Sequence, residues 1–220
     1  MKKQKIFIAC DTTNLNKVKK IIKQSQSKRV KIGFKFGLEF MNSKNGRKII
    51  SKIKKKIIFI DLKLNDTVNT MKSAVKALKD LKINYLTVHI SSGLAALKAV
   101  KKVSGSIKII GVTTLTSLNN KDLKLIGYNK SVKNLVIHQA GVARKAALDA
   151  LVCSPYEVSE VRKIFKKEII TPGVQIGKKN YDQKRSMEAK KVKSDWLVIG
   201  RAITRGNIRR NIQNLSKELK

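Results

Sequence analysis

Proline, cysteine, tryptophan and histidine are all scarce in this 220-residue chain, which holds two, two, one and two of them respectively. With only Cys10 and Cys153, each closing an apolar strand-like run, there is no disulfide framework to expect, and burial as a small hydrophobe is the ordinary fate of such a thiol. Neither belongs to a CxxC pair, and His89 and His138 lack metal-ligand spacing, so no metal site is expected. No run approaches the roughly 18 apolar residues of a membrane span. The apolar stretch Ile6 to Cys10 is too brief for a signal-peptide core. The expectation is a soluble, cytoplasmic protein with no membrane partner.

Acidic residues are the other shortage: 14 Asp+Glu stand against 50 Lys+Arg, for a formal net charge of +36. Such a charge invites a nucleic-acid reading. Lysine, however, is spread over nearly every helix-like segment, it far outnumbers arginine, and aromatic residues that could stack bases make up only 5%. No nucleic-acid partner is expected. Abundant Lys, Ile and Asn with little Pro is the signature of AT-rich codon usage. A strongly positive surface still raises the encounter rate of small anions at low salt.

What the chain does have is alternation. Eight short β-rich runs recur: Lys5 to Cys10, Val30 to Phe36, Lys56 to Leu62, Asn84 to Ile90, Ile107 to Val112, Ala150 to Cys153, Glu168 to Thr171 and Asp195 to Ile199. Segments with helical spacing of apolar residues separate them, as in a parallel sheet. Asn14 or Thr13 can cap a helix with Leu15, Val18, Ile21 and Ile22 on one face. Thr67 to Lys79 carries Met71, Ala74, Val75 and Leu78 on one face, and the longer stretch Asn119 to Ala147 carries Leu135, Val136, Ile137 and Ala140. Eight such units predict a single (β/α)8 TIM barrel over residues 1–220, with chemistry at the carboxyl ends of its strands.

At one of those ends sits the most informative segment, Asp61-Leu-Lys63-Leu-Asn-Asp66 after the apolar Phe59-Ile60. Residues two apart on a strand share a face, so Asp61 and Lys63 should project together, with Asp66 in the following turn. Taken alone, Asp61 and Lys63 could be a buried ion pair, Asp11 a helix cap, Thr116 a turn residue and His89 a packing histidine.

This DxKxxD segment resembles the signature of the orotidine 5′-phosphate decarboxylase family, a group of cofactor-free (β/α)8 dimers. Other strand ends match in order: Ile8-Ala-Cys-Asp11, Lys31-Ile-Gly-Phe-Lys35, Val112-Thr-Thr-Leu-Thr116-Ser117, Ala147 to Pro155, Thr171-Pro-Gly-Val174 and Val198-Ile-Gly-Arg201. The resemblance implies decarboxylation of orotidine 5′-phosphate to UMP in pyrimidine biosynthesis, without cofactor. It places Asp61 beside the departing carboxylate and makes Lys63 the proton donor. Asp66 would come from the partner of a homodimer and, with Lys35, hold Lys63 in place. It gives the ribose to Asp11, Lys35 and the partner's Thr67, the pyrimidine amide to Thr116, a base-to-phosphate bridge to Gln183, and the phosphate to Gly200 and Arg201. The loop from Val174 to Arg185 would close over the site.

There are departures. Gln175 stands where the family usually has the phosphate-binding Arg, with Lys178 or Lys179 as possible substitutes, and Asn65, Thr67 and Val68 replace the more usual His, Ile and Pro. Two other readings stay open: a Mg-dependent 3-keto-L-gulonate 6-phosphate decarboxylase or hexulose-6-phosphate synthase of the same superfamily, and a non-catalytic polyanion-binding barrel.

Overall fold

Eight parallel strands close on themselves in a computed structural model that describes residues 3–175 and 187–219. The barrel strands are β1 (Lys5–Ala9), β2 (Lys31–Gly37), β3 (Ile57–Leu64), β4 (Tyr85–His89), β5 (Lys108–Val112), β6 (Ala150–Val152), β7 (Glu168–Thr171) and, last in the chain, β10 (Trp196–Ile199). Between the last two, β8 (Val174–Gln175) pairs with β9 (Met187–Glu188) as a small separate parallel ladder. Every barrel strand expected from the sequence is present, and the closed order β1-β10-β7-β6-β5-β4-β3-β2 leaves the barrel no free edge.

Period-two alternation sorts the strand residues into two cores. Outward-facing Ile6, Ile8, Phe34, Ile58, Leu86, Ile109 and Leu197 pack beneath the helices, while Phe7, Phe59, Tyr85, Ile110, Ile170 and Trp196 fill the barrel interior. The interior is built around Phe7, stacked on Trp196 at 4.0 Å between centroids and meeting Phe59 and Tyr85 edge-on. Gly33 of β2 makes room for this, since a Cβ there would lie 2.6 Å from the Phe7 ring.

The helices follow their caps. Asn14 accepts from the Lys17 backbone N–H and starts Leu15–Gln24, which buries Val18 and Ile21. The stretch expected as one helical region after β5 divides into Asn120–Leu125, opened by an Asn119/Asp122 capping box, and Val132–Lys145, capped by Ser131. Leu135, Val136 and Ala140 are buried as expected, joined by Gln139.

At the amino-terminal rim one device occurs three times. Asn84, Asp149 and Asp195 each stand just before a strand, donate their backbone N–H to a carbonyl of the neighbouring strand, and accept that same residue's N–H on the side chain. The bonds received are Ile58 N–H to Asn84 at 2.8 Å, Ile109 N–H to Asp149 at 2.8 Å and Ile169 N–H to Asp195 at 2.9 Å. Each closes a two-bond ring that satisfies the first N–H of the ladder and sets its register.

Candidate active site

The carboxyl ends of the strands surround a cavity of about 370 Å³. Asp11, Lys35, Asp61, Lys63, Thr116, Gly200 and Arg201 all line it, over apolar walls that include Phe59, Val112, Val152 and Val198. Seven positions singled out from the sequence thus come from five strand ends to one place.

Four of them form a chain of alternating charge. Lys35 Nζ lies 3.0 Å from Asp11 Oδ1 and 3.6 Å from Asp61 Oδ2, and Lys63 Nζ lies 2.9 Å from Asp61 Oδ1. The middle pair is withdrawn from solvent, with side-chain exposures of 12% for Lys35 and 13% for Asp61, whereas Lys63 retains 34% and reaches into the open space. Buried charges of one sign would be expelled or neutralised; alternation offsets the cost of burying the Lys35 and Asp61 charges. Burial works against the Asp61 carboxylate, but the ammonium groups of Lys35 and Lys63, with hydrogen bonds from Lys63 and Thr87, hold its pKa below the usual carboxylate range. Burial likewise opposes the Lys35 ammonium, and Asp61 and Asp11 more than offset it, so its pKa is raised.

Asp61 and Lys63 meet, but not as neighbours on a regular strand. Lys63 has φ +50°, in the left-handed region, and the β3–β4 ladder jumps from Ile60↔Leu86 to Leu64↔Val88. Three residues of β3 therefore stand opposite one residue of β4, Thr87, which turns Lys63 out of the strand. Thr87 was not among the expected site residues. A lone polar residue in the apolar run Tyr85-Leu-Thr-Val-His89 was its one visible signal.

Asp66 and Thr67 do not line the cavity of their own chain. Both are exposed where helix Val68–Ala77 begins, and Asp66 Oδ1 accepts from the Thr67 N–H at 2.6 Å. The Lys35–Asp61–Lys63 array therefore ends on Asp11, not on Asp66, within one chain. Thr116 sits on the β5 loop, whose start is held by Gln139 accepting from the Thr114 backbone N–H (2.8 Å) and hydroxyl (3.2 Å). His89 does not line the cavity; burial first, then the nearby Lys63 charge, push its pKa down. Gln175 belongs to β8. Gln183, Lys178, Lys179 and most of the expected closing loop lie outside the described residues. Among the described residues, no three His, Cys, Asp or Glu side chains are placed to hold a metal ion.

A closed parallel barrel with a charged, partly apolar cavity at its carboxyl-end face defines the class: a TIM-barrel enzyme. The profile of the orotidine 5′-phosphate decarboxylase / HUMPS family matches residues 4–211. The chain is 41% identical over 209 residues to an orotidine 5′-phosphate decarboxylase of Wolbachia pipientis subsp. Culex pipiens, covering 90% of this chain and 91% of that one. It is 38% identical over 208 residues to the enzyme of that name from Ehrlichia canis, at 90% coverage of both. The crystal structure of orotidine 5′-phosphate decarboxylase from Lactobacillus acidophilus superimposes with a TM-score of 0.83 at 27% identity, over 99% of each chain. The enzyme from Methanocaldococcus jannaschii, complexed with inhibitor BMP, shares the fold at a TM-score of 0.80 and 22% identity, over 100% of each chain. The chain is an enzyme, a carboxy-lyase. It belongs to the orotidine 5′-phosphate decarboxylase / HUMPS family.

Proposed function

We propose that this chain decarboxylates orotidine 5′-phosphate to UMP, with Lys63 as the proton donor and without a cofactor. The observation that carries the reading is the Lys63 ammonium, 2.9 Å from Asp61 and projecting into the cavity, backed by the buried Lys35. Breaking the bond from C6 to its carboxylate leaves the electron pair on C6 as CO2 departs. No adjacent carbonyl serves as an ordinary electron sink there, so the site has to favour the anion electrostatically. Lys63 faces the developing charge and then transfers its proton to C6, regaining one from solvent afterwards. Asp61, kept ionised by two ammonium groups, lies beside the departing carboxylate and fixes Lys63.

The remaining residues bind. Asp11 and Lys35 serve the ribose hydroxyls, Thr116 the pyrimidine amide, Gln183 the base and phosphate together, and Gly200 with Arg201 the phosphate. Gln175 takes the phosphate-side position that an Arg holds elsewhere in the family. An Arg on the rim beside a Gly suits a phosphate, because its planar fork pairs bidentately. The net charge of +36 draws the polyanionic substrate inward.

The partner subunit's Asp66 and Thr67 complete each site in a homodimer. Supporting this, Leu38, Val68 and Leu94 are exposed apolar residues, and each opens the first α-helix after one of three adjacent strands, β2, β3 and β4. Val68 directly follows the exposed Asp66 and Thr67. The whole chain works as one catalytic domain, supplying UMP for pyrimidine biosynthesis. A cytoplasmic setting accords with two buried free thiols, Cys10 and Cys153.

A Mg-dependent reaction suits this donor set poorly, since both oxygens of Asp61 already face ammonium groups that would repel a divalent cation. The test is loss of orotidine ultraviolet absorbance with EDTA present. Stoichiometric conversion to UMP is expected; no conversion at saturating substrate would overturn the reading.

A further inference from the structure

Thr87 is fully buried at the centre of β4. Its Oγ1 accepts a hydrogen bond from the Lys63 backbone N–H at 2.9 Å and donates one to Asp61 Oδ1 at 3.0 Å. One hydroxyl thus uses its donor and its acceptor on the two residues assigned to the chemistry. The ladder explains why it is needed. Where Asp61, Leu62 and Lys63 stand opposite a single residue of β4, the Lys63 N–H is met by the side chain of that residue, Thr87. That N–H belongs to a residue at φ +50°, a left-handed conformation uncommon for a residue that carries a Cβ.

We propose that Thr87 is a positioning residue for decarboxylation: its hydroxyl holds the β3 bulge that lifts Lys63 out of the strand and at the same time orients the Asp61 carboxylate against it. The proposal rests on the functional reading above. Valine would fill nearly the same space but leave the Lys63 N–H unpaired and Asp61 short of one donor. Serine would keep both bonds and lose only a methyl group.

The experiment compares wild type, Thr87→Val, Thr87→Ala and Thr87→Ser, each checked for native circular dichroism. Two quantities are read: turnover of orotidine 5′-phosphate, and the carboxyl 13C titration of Asp61, assigned with Asp61→Asn. Thr87→Val should lower kcat roughly 10- to 100-fold while KM changes little, because the lost bonds set reacting geometry rather than substrate contacts. Its Asp61 titration should move to higher pH, since a hydrogen bond to the charged form is removed. Thr87→Ser should restore both. Thr87→Ala stands in for valine if that variant does not fold. Wild-type kcat and an unmoved Asp61 titration in Thr87→Val would overturn the proposal, as would Thr87→Ser behaving like Thr87→Val. If wild type fails to convert the substrate, the functional reading fails, and the ligand-free titration still decides whether Thr87 holds Asp61.

Discussion

Both ends of this barrel gather charge around a carboxylate, and they do opposite things with it. At the amino-terminal end, Glu168 accepts from Lys5 at 2.7 Å, Tyr85 OH at 2.8 Å, Lys108 at 3.1 Å and Trp196 Nε1 at 3.1 Å. These five are the first residues of β7, β1, β4, β5 and β10, so one carboxylate ties together five strand starts. Burial opposes its charge, but the hydrogen bonds from Lys5, Tyr85, Lys108 and Trp196 bring its pKa down to about 2. At the carboxyl-terminal end, Asp61 is also held by two lysines and a hydroxyl, yet Lys63 keeps a third of its surface open to a cavity. The difference lies in the surroundings: Glu168, met by four donors away from the cavity, is a clamp, whereas Asp61 and Lys63 line the cavity and form a site.

Four substitutions sharpen that contrast. Lys63→Ala should lower kcat by roughly 10⁴-fold or more, as loss of a general acid and of electrostatic stabilisation together requires, with no fall in melting temperature. Steady-state kinetics and calorimetry check this, and an unchanged rate would refute the role given to Lys63. Next, mixing inactive Lys63→Ala and Asp66→Ala chains should restore activity to about a quarter of wild type, because random pairing gives half heterodimers with one intact site in two. No recovery after mixing would contradict shared sites.

At the other end the effects should fall on stability alone. Glu168→Gln strands two ammonium groups and should cost about 2 to 3 kcal/mol in denaturant unfolding at pH 7, with kcat unchanged. The folded pKa of Glu168 is depressed, to about 2 from the ordinary 4.5. Its contribution is therefore complete above pH 4.5 and disappears as pH falls towards 2, so wild type and variant should converge over that window. A constant difference down to pH 2 would contradict the clamp. Smallest is Asn84→Ala, which leaves the Ile58 N–H without its side-chain acceptor and should cost about 1 to 2 kcal/mol. Equal stability would show that water replaces the amide.

Much of the carboxyl-terminal end was legible in the sequence, and little of the other. Asp11, Lys35, Asp61, Lys63 and Arg201 sit where apolar runs stop, which is a local signal, and the order of the runs predicts the barrel that brings them together. Asn14 as a cap was legible for the same reason. Glu168 was not, because its partners lie 28 to 163 residues away and each looks like an ordinary strand start. The left-handed Lys63 was hidden too, since the period of a strand predicts the right face for the wrong reason; the bulge depends on Thr87, 24 residues further on. Gly33 reads as a weak strand residue until the Phe7 ring occupies its missing Cβ.

Proton delivery to C6 from Lys63 is the step on which the proposed reaction depends. Turnover of orotidine 5′-phosphate in D2O, followed by proton NMR of the product, tests this most directly. Wild type should yield UMP carrying deuterium at C6, and Lys63→Ala should yield no detectable product over the same time. Formation of C6-deuterated UMP at the same rate by both proteins, or no UMP from wild type, would contradict it.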